Sequence, residues 1–178
     1  YHSASSSQPA LYLNSPTNAT GVEFINNIIY YAGNDNPIED GNGALGTHSY
    51  NLIYRASGTL VHVGTTSYTA ANVATWEATA LTANPAFSGG SLPTGFSGTY
   101  GTNMVPNTDY FQLTVDSPAK DTGATLEGYT GAINGAGLAT PIVRPLGSAY
   151  DIGAYEYGSA GASGSAACGF LFQGVTIQ

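Results

Sequence analysis

The tetrapeptide Asn27-Ile28-Ile29-Tyr30 returns 24 positions later as Asn51-Leu52-Ile53-Tyr54. A short apolar segment that begins with Asn and recurs after one coil's length is typical of a parallel β-helix. In such a fold each coil stacks on the previous one, so equivalent residues form ladders along the axis. The repeat therefore predicts that Asn27 stacks on Asn51 and that Tyr30 stacks on Tyr54.

Charge and composition restrict the partners of this chain. Its formal net charge is −8, and only 8% of its 178 residues are charged, whereas about 25% is usual in soluble proteins. The fixed cations are Arg55, Lys120 and Arg144, too few to neutralise the phosphates of a nucleic acid. Anionic membrane surfaces and polyanionic sugars are disfavoured for the same reason. No apolar run approaches the ~20 residues that cross a bilayer.

The composition also indicates where the protein works. Lys is scarce and small polar residues are abundant, which favours a secreted or cell-surface protein. Cys168 is the single cysteine, so an internal disulfide is excluded. Residues 1–7 lack the basic start and apolar centre of a signal peptide, and we expect the chain to begin after processing or inside a longer protein.

The pattern along the chain predicts an all-β fold. Segments rich in β-branched and aromatic residues cover positions 11–13, 21–31, 49–55 and 59–63, and turn-rich loops separate them. A helical pattern is confined to residues 70–80, which predict one short helix around Trp76. Short parallel β-helix coils are therefore expected in the first half of the chain.

Three later segments carry a resemblance. Asn84-Pro-Ala-Phe87 is followed by Asp109-Tyr-Phe-Gln-Leu-Thr-Val-Asp-Ser-Pro-Ala-Lys-Asp-Thr-Gly123 and by Arg144-Pro-Leu-Gly-Ser-Ala-Tyr-Asp-Ile-Gly-Ala-Tyr-Glu156. In order and spacing, these segments resemble the C-terminal region of secreted right-handed parallel β-helix proteins of the choice-of-anchor Q type. The likeness extends over about residues 20–157. It implies last coils, a β-rich capping module and a variable anchoring segment.

The resemblance and the composition together predict four regions. Terminal β-helix coils occupy residues 1–83 and the C-terminal capping module residues 84–157. Residues 158–167 contain only Gly, Ser and Ala and form a linker. Residues 168–178 form a C-terminal β-strand, whose apolar residues are candidates for docking or assembly in cis or in trans. These residues are Phe170, Phe172, Val175 and Ile177.

Most polar residues that stand out receive structural interpretations. Asn27 and Asn51 are expected to line a turn ladder, and Asp121 to satisfy turn amides. Arg144 lies near Asp151 and Glu156 in the closing signature, which predicts an ion pair that closes the cap. The full structural set is Asn27, Asn51, Asp121, Arg144, Asp151 and Glu156.

A calcium site in the loop after the first copy is a second interpretation. Asp35, Glu39 and Asp40 gather there, and hard oxygen ligands at this density suit Ca²⁺. Ile38, however, falls where the well-known calcium loop needs an oxygen. A solvated turn is therefore favoured, and no cofactor is expected.

The sequence leaves three functions open. The first is an extracellular structural or surface-attachment module that assembles head to tail with copies of itself through its C-terminal strand. The second is a carbohydrate-binding module that uses Tyr30, Tyr31, Tyr50 and Tyr54. The third is a polysaccharide lyase or glycoside hydrolase fragment, which needs facing carboxylates. No spacing favours a particular carboxylate pair, so no catalytic residue is assigned and a non-enzymatic role is preferred.

Overall fold

The protein is strand-rich, and the described part of its first half contains one short helical element, the 3-10 turn Val73–Thr75. The structure, a computed structural model, describes residues 8–14, 22–89, 96–97, 105–106, 111–126, 145–153 and 156–158. The strands are β1 (Leu11–Leu13), β2 (Phe24–Ile25), β3 (Ile28–Tyr30), β4 (Ile38–Asp40), β5 (His48–Ser49), β6 (Leu52–Tyr54), β7 (Thr59–Val63), β8 (Thr66–Thr69), β9 (Phe96–Ser97) and β10 (Val105–Pro106).

From β1 to β7, consecutive strands belong to different sheets, and the chain returns to those sheets in the same order. Strands β1, β4 and β7 pair in parallel, as do β2 with β5 and β3 with β6. Phe24 pairs with His48 and Ile28 with Leu52, so both steps span 24 residues. Parallel neighbours require such long connections because the chain must return to the same end of the sheet.

The two copies of the tetrapeptide pair in the register that the repeat predicts. Strands β3 and β6 align Ile28 with Leu52 and Tyr30 with Tyr54, whose ring centroids lie 5.0 Å apart. A third passage adds a parallel bridge from Leu52 to Leu81, and the Leu81 amide donates to the Asn51 carbonyl at 2.9 Å. We call this stack of paired segments the column. It contains three levels, which are β3, β6 and the segment at Leu81.

A buried apolar cluster lies between these sheets. Each fully buried Ile, Leu or Val contributes about 1.5–3 kcal/mol through removal of its side chain from water. The inward positions of β1, β4 and β7 supply part of the cluster and its border. Its members are Ile29, Tyr31, Ile38, Ile53, Leu60, Val61 and Val73, with Leu11, Phe24, Val63, Tyr68, Trp76 and Ala80 packed against it.

One end of the cluster is covered by the segment that follows β7. Strand β8 pairs with β7 in antiparallel orientation and is the last strand of its sheet. The predicted short helix is the 3-10 turn Val73–Thr75, and Val73 is buried in the cluster while Trp76 packs against it. The chain thus closes this end with its own residues.

The described residues divide into two compact units, the first ending at Pro85 and the second beginning at Ala86. In the second unit β9 and β10 pair in antiparallel orientation, and isolated bridges join Phe87 to Leu113 and Gly123 to Tyr150. The predicted linker and C-terminal strand, 158–167 and 168–178, lie outside the described residues except for Gly158.

Candidate functional site

A ladder of polar side chains lies at the corner between the β2–β5 pair and the β3–β6 pair. Asn51 Oδ1 accepts the backbone N–H of Asn27 at 3.0 Å and the side-chain Nδ2 of Asn27 at 3.1 Å. Asn51 Nδ2 in turn donates to the Phe24 carbonyl at 2.7 Å. Asn51 is fully buried, so each of these bonds satisfies a group that water does not reach.

Glu77 completes this ladder at the third level. Its Oε1 accepts the backbone N–H of Asn51 at 2.8 Å, and its Oε2 accepts Asn51 Nδ2 at 2.9 Å. Because Leu81 pairs with Leu52, Ala80 occupies the level next to Asn51 and offers no side-chain oxygen. The Glu77 carboxylate, which is 3% exposed, supplies the missing acceptor from three residues earlier in the chain.

The ladder has a chemical direction. Asn27 Nδ2 donates to Asn51 Oδ1 and Asn51 Nδ2 donates to Glu77 Oε2, so the side-chain bonds run in one direction, and both carboxylate oxygens of Glu77 are acceptors for Asn51. Glu77 therefore ends the series, and the ladder cannot continue beyond it by the same bonds. At the opposite end, Asn27 Oδ1 has no donor among the residues that the structure describes.

His48 and Trp76 border the Glu77 end. The imidazole of His48 stacks on the indole at 4.0 Å between centroids with an interplanar angle of 8°. His48 Nδ1 lies 3.4 Å from Glu77 Oε2, so a protonated His48 forms an ion pair with this carboxylate. These contacts place His48 beside Glu77 and Trp76 at the end of the polar ladder.

The corner before each Asn has the same unusual backbone. Asn26 has φ of +59° and Tyr50 has φ of +54°, and the two residues are 24 positions apart. Asn tolerates this left-handed conformation, but an aromatic residue there is strained. Tyr50 is also exposed, and its amide donates to Thr79 Oγ1 at 2.7 Å.

The four tyrosines predicted to bind carbohydrate do not form one exposed face. Tyr30 is 7% exposed and Tyr31 1%, and the Tyr31 hydroxyl donates to the Gln8 carbonyl at 2.7 Å. Burial removes both from a solvent-facing role, because β3 and the residue after it both pack inside the first unit. Tyr54 is half-buried and Tyr50 is exposed, and binding at these two stays a prediction.

The three carboxylates considered for calcium have separate partners. Asp40 is buried, and its oxygens accept the amides of Ala44 at 2.8 Å and Leu45 at 2.9 Å. Asp35 accepts the Asn36 amide at 2.8 Å. Within the described ranges, no three acidic, His or Cys side chains group closely enough to hold a metal ion.

Glu39, the third of these carboxylates, belongs to a pair across two strands. Its Oε1 accepts from His62 Nδ1 at 2.7 Å, and its Oε2 accepts from Asn36 Nδ2 at 3.0 Å. Partial burial raises the pKa of Glu39, but the hydrogen bonds from His62 and Asn36 outweigh it and hold this pKa below its usual value. Glu39 is therefore ionised and His62 Nδ1 carries the shared proton.

In the second unit, carboxylates join two segments of backbone. Asp121 Oδ1 accepts the amides of Ser148 at 2.7 Å and Ala149 at 3.2 Å. The Asp121 amide donates to Asp151 Oδ1 at 2.6 Å, which makes the exchange reciprocal. Asp121 has φ of +56°, a conformation that Asp tolerates better than most residues.

Glu156 extends the same contacts, and we name Asp121, Asp151 and Glu156 together the acidic clamp. Glu156 accepts the amides of Asp151 and Leu146, both at 3.2 Å. Asp151 Oδ2 accepts the Tyr157 amide. Arg144, the cation predicted to pair with this group, lies outside the described residues.

The two aspartates of the acidic clamp differ in their electrostatics. Hydrogen bonds from the Ala149 and Ser148 amides hold the pKa of Asp121 below its usual value. Burial raises the pKa of Asp151 above its usual value, and the nearby Glu156 charge adds to this effect. The clamp therefore combines one stabilised and one disfavoured negative charge.

Compared with family models, with curated proteins and with solved structures, the chain gives no match in any of the three. In the described part of the chain, no helix has the length and apolar character required to cross a membrane. The assembly residues Phe170, Phe172, Val175 and Ile177 lie outside the described residues.

Proposed function

We propose that this chain is the terminal module of a secreted or cell-surface right-handed parallel β-helix of the choice-of-anchor Q type, with a structural or surface-attachment role. The observation that carries the proposal is the return of the chain to three parallel sheets in a fixed order. A polar ladder at the corner of successive passages supports it, since stacked coils align equivalent residues.

The two ends of the first unit differ in a way that suits a terminal module. Strand β8, the 3-10 turn and Glu77 cover the end after β7. At the other end, β1 and β2 each have one strand neighbour among the described residues. A strand with an uncovered edge accepts another strand through its backbone groups. The proposal places attachment on the β1 and β2 side of the first unit.

Head-to-tail assembly through the C-terminal strand belongs to this proposal. Its test is deletion of residues 168–178, with particle mass measured by light scattering over a range of concentrations. The full chain should form larger species as its concentration rises, and the deletion variant should stay monomeric. A Phe170→Ser, Phe172→Ser variant of unchanged length controls for the loss of the segment itself. Equal particle mass for the full chain and both variants would contradict the assembly role.

The described carboxylates do not favour the hydrolase or lyase alternative. Asp40 and Glu77 bind backbone amides in buried positions, and Glu39 is held by His62 and Asn36. Facing carboxylates across a groove are required for glycoside hydrolysis. Enzymatic activity stays a prediction that release of reducing or unsaturated sugar ends would test.

A further inference from the structure

The outward face of the four-stranded sheet carries four side chains in one row. Tyr12 pairs with Glu39, Glu39 with His62, and His62 with Ser67, across β1, β4, β7 and β8. We name these four residues the outward row. Neighbouring strands lie about 4.8 Å apart, so the row is about 14 Å long.

Alternation along the strands explains why this row faces outward. The residues beside Tyr12 and Glu39 point to the opposite side, where Leu11 and Ile38 contact the apolar cluster. Tyr12 is 58% exposed, more than any other aromatic side chain among the described residues. An aromatic ring that remains in water on a sheet face offers an apolar surface to a ligand.

The centre of the outward row is polar and already oriented. Glu39 and His62 are joined at 2.7 Å, and their side chains are 20% and 27% exposed. The Asn36 amide fixes the second carboxylate oxygen at 3.0 Å. With Nδ1 engaged, Nε2 of His62 is the ring nitrogen left for a ligand, and the carboxylate keeps lone pairs for hydroxyl donors.

We propose that the outward row is a binding site for a neutral oligosaccharide. A pyranose ring has an apolar C–H face, which suits the Tyr12 ring, and a rim of hydroxyl groups, which suits Glu39, His62 and Ser67. The net charge of −8 and the ionised Glu39 exclude acidic sugars by repulsion. This inference goes beyond the proposed function and does not depend on it.

Isothermal titration calorimetry with five neutral hexaoses tests the site: cellohexaose, xylohexaose, mannohexaose, laminarihexaose and chitohexaose. At least one should bind the full chain, while oligogalacturonate of the same length should not. Tyr12→Ala should weaken binding about 10-fold or more, as the loss of a central aromatic contact does, and Tyr12→Phe should retain most of it. Glu39→Gln should weaken binding further than Ser67→Ala.

Val115→Ala is the control, because Val115 is 59% exposed, similar to Tyr12, but belongs to the second compact unit and not to this sheet. It should bind as the unmodified protein does. Circular dichroism of each variant checks that the strands are retained, which the exposure of Tyr12 favours. No binding of any hexaose, stronger binding of oligogalacturonate, or equal losses for Tyr12→Ala and Val115→Ala would each overturn the proposal. None of these results bears on assembly.

Discussion

At the scale of single residues, Glu77 accepts two hydrogen bonds from the buried Asn51. Asn51 has a backbone N–H and a side-chain amide that both point to this carboxylate in a buried site. A buried donor without a partner costs about 1–3 kcal/mol. Two such donors depend on one side chain, so the stability of the first unit should respond strongly to its replacement.

We predict that Glu77→Ala lowers the free energy of unfolding by about 3 kcal/mol, since it leaves the Asn51 backbone N–H and one of the two Nδ2 hydrogens without acceptors, while Nδ2 keeps its bond to the Phe24 carbonyl. Glu77→Gln should cost less, because its amide oxygen still accepts one of them. Urea denaturation followed by circular dichroism measures both values. Glu23→Gln is the control, since Glu23 is exposed, and should change little. Similar costs at positions 23 and 77 would contradict the ladder-ending role.

The strained corner at Tyr50 leads to a change in the opposite direction. Replacement by Asn, the residue at the equivalent corner position 26, should raise the free energy of unfolding by about 1 kcal/mol, because Asn accepts positive φ more readily. The reverse change, Asn26→Tyr, should lower it. Thermal unfolding of both variants and of the unmodified protein measures these changes in stability. A loss of stability in Tyr50→Asn would mean that the exposed ring contributes more than its backbone costs.

At the scale of elements, the paired passages show what could be predicted from sequence and what could not. The Asn-Ile-Ile-Tyr repeat predicted the register of β3 and β6 because both copies keep the same residue types at a spacing of 24. The repeat did not predict the role of Glu77, because this residue is not an Asn and lies 26 positions after Asn51. Its longer side chain reaches Asn51 from there.

The tyrosines show a second limit of the same kind. Alternation predicts that one of Tyr30 and Tyr31 faces outward, but the chain turns after β3 and both side chains are buried. Tyr12 was assigned to a strand, yet its neighbours Glu39 and His62 come from later passages. The alternation of residues within one strand does not show which other strands pair with it. The outward row could therefore be assembled only from the register.

The acidic clamp makes the second unit sensitive to acid. Because the folded pKa of Asp121 is depressed, its contribution to stability is present above its unfolded pKa of about 4 and is lost as pH falls through the folded value. Asp151 acts in the opposite direction, since its folded pKa is raised and its contribution is lost as pH rises. Asp121 should dominate the response below about pH 4, because protonation weakens its hydrogen bonds with two amides.

We therefore expect the unmodified chain to lose stability between about pH 5 and pH 2, and Asp121→Asn to show a shallower loss. Asp151→Asn removes the disfavoured charge and should make the loss of stability in acid steeper, because Asp151 no longer opposes the effect of Asp121. Urea unfolding at a series of pH values, followed by tyrosine fluorescence, compares the three proteins. The same slope in Asp121→Asn and the unmodified chain would assign the acid response to other groups.

At the scale of the whole molecule, net charge opposes any association of copies. The chain has 11 acidic residues and three Lys or Arg residues, so two copies repel each other in dilute buffer. Strand addition acts at short range through backbone hydrogen bonds and apolar contact. Salt screens the repulsion over about 10 Å at 0.1 M and leaves the short-range contacts largely intact.

The assembly proposal thus predicts a particular dependence on salt. The particle mass of the full chain should increase as NaCl rises from about 10 mM to about 500 mM, because the screening length shortens. The variant without residues 168–178 should keep the same mass throughout. Static light scattering at fixed protein concentration gives both curves. A mass that falls with added salt would indicate association through ion pairs instead.

The direction of the polar ladder has a consequence for how chains of this kind can vary in length. Insertion of a further 24-residue copy ahead of Asn51 would add one level of about 4.8 Å while Glu77 still received the same two bonds. A copy inserted after Glu77 would follow a carboxylate that offers no N–H to the next level, so the ladder would not continue. Unequal recombination between the repeated segments could therefore lengthen or shorten the column from one side without rebuilding its terminus. The number of levels becomes heritable variation that selection can act on separately from the closing residues.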